Sequence, residues 1–222
     1  IYGEIVDNTD WKWDEYDVMP DDVRQALEKV DGLSTLNIYI NSPGGSVFSG
    51  MAIYNMLKRN KAKKIVHIDG VAASMASVIA LVGDEIYMPS NAYMMIHKPL
   101  TFAFGNAADL RKIADDLDTI EEGLIKAYEE NLREGASIDE VKTMISEETW
   151  LTADKASEYF NIEVTGAKQV AASAKHLLKG YKNVPKSLLG GGNDERKQAR
   201  PEGGDDDLEL IKLQNELDLL DL

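Results

Sequence analysis

Short strand-like segments alternate with helix-like segments along most of this chain. Leu36, Ile38 and Ile40 recur at every second position, as the buried residues of a strand do. We predict strands over 36–40, 65–68, 86–88 and 93–96, and helices over 23–30, 51–59, 72–81, 106–133, 137–145 and 153–159. Repeated strand-helix units stack helices on a mostly parallel sheet, and sites on such sheets lie at the carboxyl ends of the strands. The pattern therefore predicts a layered α/β fold.

The charge and the residue inventory exclude several classes of function. With 39 acidic residues against 24 lysines and arginines the net charge is −15, whereas nucleic-acid binding needs clustered basic residues. The absence of cysteine removes disulfides, thiolate metal sites and cysteine nucleophiles. The longest nearly uncharged stretch, residues 70–83, is too short to span a bilayer, and no signal-peptide pattern is visible. We therefore predict no nucleic-acid partner, no membrane association, no metal and no cofactor.

The composition changes near residue 183, which predicts three parts. These are a globular domain over 1–182, a flexible linker rich in glycine and aspartate over 183–207, and an amphipathic helix over 208–222. The helix is indicated by leucines at helical spacing: Leu210, Leu213, Leu217 and Leu220. Because it is short, such a helix needs a partner surface, and a tail that is helical only part of the time is the alternative.

Two loops at predicted strand ends each lead into a helix. The first, residues 42–46 with the sequence Ser-Pro-Gly-Gly-Ser, has paired glycines that let backbone N–H groups approach a ligand. The second, residues 70–76 with the sequence Gly-Val-Ala-Ala-Ser-Met-Ala, surrounds Ser74 with small residues. Ser74 at a helix start is either a nucleophile, with the Met75 N–H as half of an oxyanion hole, or a hydroxyl that caps the helix.

A serine nucleophile needs a general base, and the chain offers three histidines. His67 lies within a predicted strand and is expected to be structural, whereas His176 lies in a lysine-containing stretch near the end of the body. His97 follows the apolar run 93–96 and therefore lies at a strand end that faces the loops. We predict His97 as the base. Lys98 would allow a serine-lysine dyad, but its side chain points the other way if the strand geometry continues.

Four ordered blocks resemble the signature blocks of the ClpP family of serine peptidases. They are Ile-Tyr-Ile-Asn-Ser-Pro-Gly-Gly-Ser at 38–46, Gly-Val-Ala-Ala-Ser-Met-Ala at 70–76, Met-Ile-His-Lys-Pro-Leu at 95–100 and Trp-Leu-Thr-Ala-Asp-Lys-Ala at 150–156. The resemblance implies a ClpP/crotonase-like fold of layered βα repeats with a protruding long handle helix, which would lie within 106–145 here. In the family this helix interleaves two rings of seven subunits. The resemblance therefore implies a homo-oligomer, built as a heptameric ring or a double ring.

The resemblance also implies roles for five residues. These are Ser74 as nucleophile, His97 as general base and acid, the backbone N–H groups of Gly45 and Met75 as the oxyanion hole, and Glu148 as the third member of the triad. The family usually has aspartate where this chain has Glu148, and the extra methylene changes the reach of the carboxylate. Glu147 and Asp154 remain alternatives for that role. An ordinary solvated charge is the other interpretation of Glu148.

The last block and the added tail indicate a subtype. The sequence Glu-Thr-Trp-Leu-Thr-Ala at 148–153 looks closer to the ClpP-like head maturation proteases of tailed phages and prophages. That resemblance implies an ATP-independent serine endopeptidase that processes capsid or scaffold proteins, in the bacterial host cytoplasm or inside an assembling prohead. The C-terminal helix would then dock on a capsid or scaffold protein.

Three alternatives to this function stay open. A housekeeping proteolytic subunit would work with an ATP-driven unfoldase. A crotonase-like enzyme would apply the same two-amide oxyanion hole to acyl-CoA thioesters, but it needs no serine-histidine pair. A scaffold or assembly protein would carry a decayed and inactive triad.

Overall fold

The computed structural model describes residues 1–12, 14–167, 178, 180–186 and 188. Its strands are β1 (Tyr2–Ile5), β2 (Thr35–Gly45), β3 (Lys63–Ala73), β4 (Glu85–Pro89), β5 (Tyr93–Ile96), β6 (Thr149–Thr152) and β7 (Glu163–Thr165). Its helices are α1 (Pro20–Lys29), α2 (Val47–Arg59), α3 (Met75–Ala80), α4 (Ala107–Glu129), α5 (Ile138–Ser146) and α6 (Ala153–Tyr159). The predicted helix over 208–222 and most of the predicted linker over 183–207 lie outside the described residues.

The strands form a mostly parallel sheet that branches at β3. Strands β1, β2, β3, β4 and β7 lie side by side in parallel, in that order. The middle of β3 pairs with β4 at Ile65–His67, whereas its last residues, Val71–Ala73, pair in parallel with β5. β6 pairs antiparallel with β5. This architecture confirms the predicted α/β fold, and the branch places the end of β3 beside the end of β5.

Two strands run further than the sequence pattern indicates. β2 continues through the Ser-Pro-Gly-Gly segment because β1 pairs with residues 41–45. β3 continues to Ala73 because its last residues pair with β5. The predicted helix start at residue 72 is therefore wrong, since α3 begins at Met75. Alanine favours helix, but strand pairing and complete burial of Ala72 and Ala73 outweigh that preference.

The core lies between the sheet and the helices that cover it. Ile40 and Ile68 of neighbouring strands are fully buried, and so is Ile79 of α3. Every residue of α3 is buried, so this helix packs on all sides. Burial of one isoleucine side chain contributes about 1.5–3 kcal/mol. The packing of α3 against β2 and β3 thus fixes the turn at its start.

The longest helix, α4, extends away from this core. The side chain of Asn106 accepts a hydrogen bond from the N–H of Asp109 at 3.2 Å, and the Asp109 carboxylate accepts one from the Asn106 N–H at 3.0 Å. This reciprocal cap starts the helix. Only Leu124, Ala127 and Tyr128, near its C-terminal end, are buried. Most of α4 therefore projects from the domain, as predicted for a handle helix.

Candidate active site

The register between β3 and β5 brings two of the predicted site residues together. Ala73 lies opposite Met95 in this parallel pair, and the N–H of Ser74 donates to the Met95 carbonyl at 2.9 Å. His97 follows directly after β5, just as Ser74 follows β3. The Oγ of Ser74 lies 2.8 Å from the Nε2 of His97. The sheet itself thus sets a hydrogen bond between a hydroxyl and an imidazole.

The backbone at Ser74 distinguishes the two interpretations of this residue. Ser74 occupies the N-cap position of α3, but its side chain makes no capping hydrogen bond. Its φ of 53° is in the left-handed region that residues with a side chain rarely adopt. The hydroxyl of Ser77 donates to the Ser74 carbonyl at 2.6 Å and pairs with the Tyr128 hydroxyl at 2.7 Å, which supports the turn from below. The capping interpretation is therefore wrong, and the Ser74 hydroxyl faces His97 instead.

The glycine pair of the first loop lies directly against this turn. A Cβ at Gly44, whose φ is 94°, would come within 2.6 Å of the Ala73 carbonyl oxygen and 2.9 Å of the Met75 nitrogen. Gly45 has a φ of 142°, and a Cβ there would overlap the carbonyl oxygen of Ile5 in β1. Only glycine permits these close approaches. As the first residue of α3, Met75 has an N–H with no acceptor inside the helix.

Burial and one nearby carboxylate determine the protonation of His97. Burial lowers the pKa of the His97 imidazole below its ordinary value, and the negative charge of Glu148 partly offsets that effect. The ring of Tyr181 meets the imidazole edge-on, with 5.3 Å between ring centroids. A neutral imidazole at neutral pH can accept a proton, which a general base must do.

Glu148 reaches this site through the β5–β6 pair. Ile96 lies opposite Thr149 in that antiparallel pair, so His97, just after β5, and Glu148, just before β6, are neighbours at the same end of the pair. Glu148 has a φ of 52°. Within the described part of the chain its carboxylate makes no hydrogen bond to His97 and acts on the imidazole through its charge. Its Oε1 instead accepts hydrogen bonds from the backbone N–H groups of residues 182 and 183.

The other predicted candidates take no part in the site among the described residues. Glu147 and Asp154 are exposed, and neither charge acts on the His97 pKa. The Lys98 ammonium pairs with Glu121 at 2.8 Å, as expected from its opposite orientation. His67 stacks between two tyrosine rings on one face of the sheet, with centroid distances of 4.8 and 5.5 Å, which fits a structural role. His176 lies outside the described residues.

Tyr181 is a site residue that the sequence reasoning missed. Its hydroxyl donates to the Pro43 carbonyl at 2.6 Å, across 138 residues of sequence. Burial raises the pKa of the Tyr181 phenol to about 12, and the nearby Ser74 hydroxyl opposes that rise. The only signal in the sequence was that Tyr181 is the last aromatic residue of the chain, which does not reveal a contact at such sequence separation.

A cleft of about 390 Å³ opens beside this cluster. Its lining includes Pro43, Gly45, Val47, Ser74, His97 and Leu100. Three larger clefts, of about 740, 560 and 510 Å³, lie beside α1, and among the described residues none of them is lined by Ser74, His97 or Glu148. The smaller cleft is therefore the one that can present a substrate to the hydroxyl-imidazole pair.

Metal and membrane features are also absent from the part of the chain that the structure describes. It contains no cluster of three or more histidine, cysteine, aspartate or glutamate side chains arranged to hold a metal ion. In the same part of the chain, no helix is both long enough and apolar enough to cross a bilayer.

Comparisons with known proteins identify the family of this chain. The sequence model of the family described as Clp protease matches residues 22–164, more than half of the chain. ATP-dependent Clp protease proteolytic subunits from two strains of Bacteroides fragilis are 33% identical over 139 residues, which are 62% of this chain and 66% and 62% of those proteins. The subunit from Bacteroides thetaiotaomicron is 32% identical over 139 residues, 62% of each chain. The aligned stretch thus spans just under two thirds of these relatives. On the family match, the chain belongs to the Clp protease family.

Proposed function

We propose that this chain is a serine endopeptidase that cleaves peptide bonds through an acyl-enzyme. The observation that carries the proposal is the 2.8 Å hydrogen bond between Ser74 Oγ and His97 Nε2. A serine hydroxyl is a weak nucleophile until an adjacent base takes its proton. Burial favours the neutral imidazole that can take it. Membership of the Clp protease family supports the same chemistry.

The proposed reaction has two halves. Ser74 Oγ attacks the carbonyl carbon of the scissile peptide bond, and its proton passes to His97 Nε2. His97 then donates that proton to the leaving amine, and the carbon-nitrogen bond breaks. In the second half, His97 takes a proton from water as the water oxygen attacks the acyl carbon. The bond between that carbon and Ser74 Oγ then breaks, and His97 returns the proton to Ser74 Oγ as the carboxylic acid leaves. His97 therefore carries the proton in both halves, and the proposed reaction needs no metal or cofactor.

The backbone N–H groups of Gly45 and Met75 are proposed to stabilise the oxyanion of the tetrahedral intermediate. The close packing of the glycine loop on the turn at Ser74 supports this assignment. Loss of one oxyanion donor costs about 10²–10³ in kcat in serine peptidases. Because both donors are backbone groups, substitutions that bend the loop test them better than side-chain deletions.

Glu148 is proposed as the third member of the triad, acting through its charge. The developing imidazolium of His97 is stabilised by a carboxylate nearby, and Glu148 is the carboxylate whose charge raises the pKa of His97. The bonds from the N–H groups of residues 182 and 183, at 2.6 and 2.8 Å, hold that carboxylate in place.

We further propose that the substrates are capsid or scaffold proteins, processed without ATP during phage head maturation. The sequence of 148–153 and the residues that continue beyond the family match support this subtype. The expected result is that the full chain alone cleaves an unfolded protein without ATP or an unfoldase. Cleavage that requires both would favour the second candidate, a housekeeping proteolytic subunit. The Bacteroides relatives are named as such subunits, but family membership fits both candidates equally well.

Self-assembly is part of the same proposal. Leu100 is 62% exposed, and Phe102 and Phe104, in the segment before α4, are essentially fully exposed. Large apolar side chains exposed together mark contact surfaces. We propose that they contact other copies of this chain in a homo-oligomer of one or two heptameric rings.

A third candidate, which is not an enzyme, is an inactive assembly protein. The missing hydrogen bond between Glu148 and His97 within the described part of the chain favours it. Hydrolysis of an unfolded protein such as casein by the wild type and by Ser74→Ala separates the two functions. A peptidase loses all cleavage in Ser74→Ala and keeps its assembly, whereas an inactive protein shows no cleavage in either form.

A further inference from the structure

A segment beyond the family match lies on the site. We call the described residues 178, 180–186 and 188 the strap. They follow the end of the match at residue 164. Leu178 of the strap is 1% exposed and packs in one apolar cluster with Val71, Ala73 and Met95 of the active-site strands. Trp150 of β6 packs against the same cluster. The strap therefore shares a core with the strands that carry the site.

The strap also supplies hydrogen bonds to the catalytic carboxylate. The N–H groups of Lys182 and Asn183 donate to Glu148 Oε1 at 2.6 and 2.8 Å. The side-chain amide of Asn183 donates to the carbonyls of Glu147 and Glu148 at 3.1 and 3.2 Å. Bonds from two N–H groups to one carboxylate oxygen are charge-assisted and restrict its position. They also secure a residue whose backbone is in the left-handed region.

Tyr181 ties the strap to the rest of the site. Its hydroxyl donates to the carbonyl of Pro43, the residue before the glycine pair. Its ring makes T-shaped contacts with the rings of His97 and Trp150, with centroid distances of 5.3 and 6.0 Å. One side chain thus contacts the glycine loop, the imidazole and β6.

We propose that the strap is a positioning element of the active site, in which residues 182 and 183 hold Glu148 and Tyr181 orients His97. The inference rests on the proposed function. A carboxylate that is not hydrogen-bonded to the imidazole needs another means to stay beside it, and the strap provides one. Displacement of a catalytic group by about 1 Å can cost up to 10²-fold in rate.

The geometry favours positioning over blockage of the site. The hydrogen bond between Ser74 and His97 remains at 2.8 Å with the strap in place. The cleft of about 390 Å³ beside Ser74 remains open, with Tyr181 as one part of its wall. An inhibitory segment would fill that cleft.

The test compares strap variants in the full chain by the rate at which a fluorophosphonate labels Ser74. Asn183→Pro removes the 183 N–H, and we expect labelling and kcat to fall by about 10–100-fold with KM changed less than about twofold. Asn183→Ala keeps that N–H, so we expect its labelling rate and kcat to fall less. This variant still tests the proposal if Asn183→Pro does not fold. Lys186→Ala, at an exposed strap position, is the matched control and should label like the wild type.

A double-mutant cycle separates positioning from general support of the fold. If the strap acts through Glu148, Asn183→Pro should have little further effect on labelling in a Glu148→Ala background. An equal loss in both backgrounds would overturn the proposal, as would strap variants that label as fast as the wild type or faster. A wild-type chain that does not label at all would instead overturn the proposed function, and the strap's role with it.

Discussion

The hydroxyl of Ser74 lies 2.8 Å from Nε2 of His97 because β3 and β5 end side by side. The left-handed backbone at Ser74 turns its side chain away from the helix that it would otherwise cap. The pair is therefore a product of sheet register and one strained turn.

The pH profile of Glu148→Gln tests the role of that carboxylate. Burial lowers the pKa of His97 and Glu148 raises it, so removal of the charge lowers the pKa further. A base works only when unprotonated, so we expect the acidic limb of kcat/KM to move to lower pH. The plateau should fall by about tenfold or more, because the imidazolium loses a stabilising charge. A limb that stays in place, or moves to higher pH, would show that another group sets the pKa.

The strained turn predicts an unusual order of stabilities at position 74. Glycine accepts a φ of 53° without strain, so Ser74→Gly should be more stable than Ser74→Ala by about 1 kcal/mol. Ala76→Gly, inside α3, is the matched control and should destabilise by about 1 kcal/mol. Urea unfolding measures all three variants. Equal stability of the two position-74 variants would argue against strain at that turn.

The glycine loop can be tested by comparing two glycines with positive φ. Gly45→Ala places a Cβ against the Ile5 carbonyl, so we expect lost β1–β2 pairing and at least a 10²-fold loss of activity. Gly32→Ala has a φ of 80° but open space around its Cβ. It should cost only about 1 kcal/mol of stability and leave kcat unchanged. Comparable kcat values in Gly45→Ala and the wild type would show that the loop is not part of the oxyanion hole.

The exposed aromatic residues predict how assembly depends on the segment before α4. Phe102→Ser together with Phe104→Ser should shift the sedimentation profile towards smaller species, because the apolar contact is lost. Tyr16→Ser is a control at another exposed aromatic position, with 60% exposure. An unchanged profile in the double variant would place the subunit contacts elsewhere.

The sequence predicted the repeated elements better than their ends. β5 and α6 have the predicted bounds, since β5 is a short apolar run that ends before His97-Lys98-Pro99 and α6 begins directly after Thr152. The start of α3 was misplaced because pairing between β3 and β5 is non-local, and no window around residue 72 contains it. β1, β6 and β7 have three or four residues each, too few to show a period.

The residue types of the site could be predicted from the sequence, but the contacts that hold those residues in place could not. The blocks around Ser74 and His97 indicated a hydroxyl and an imidazole at neighbouring strand ends, and the structure brings the two together. The bond from Asn183 to Glu148 spans 35 residues and uses a backbone N–H, which every residue but proline has. Because such a contact does not require a particular residue type, it can be found only from the coordinates.

The most direct test of the account is the reaction of the full chain with a fluorophosphonate, followed by peptide mass spectrometry. A phosphonate reacts with a serine only when an adjacent base has activated it. We predict stoichiometric labelling of Ser74, none in Ser74→Ala, and a strongly reduced rate in His97→Ala. Absence of labelling, or a label on any residue other than Ser74, would contradict the proposal that Ser74 and His97 form the catalytic pair of a serine peptidase.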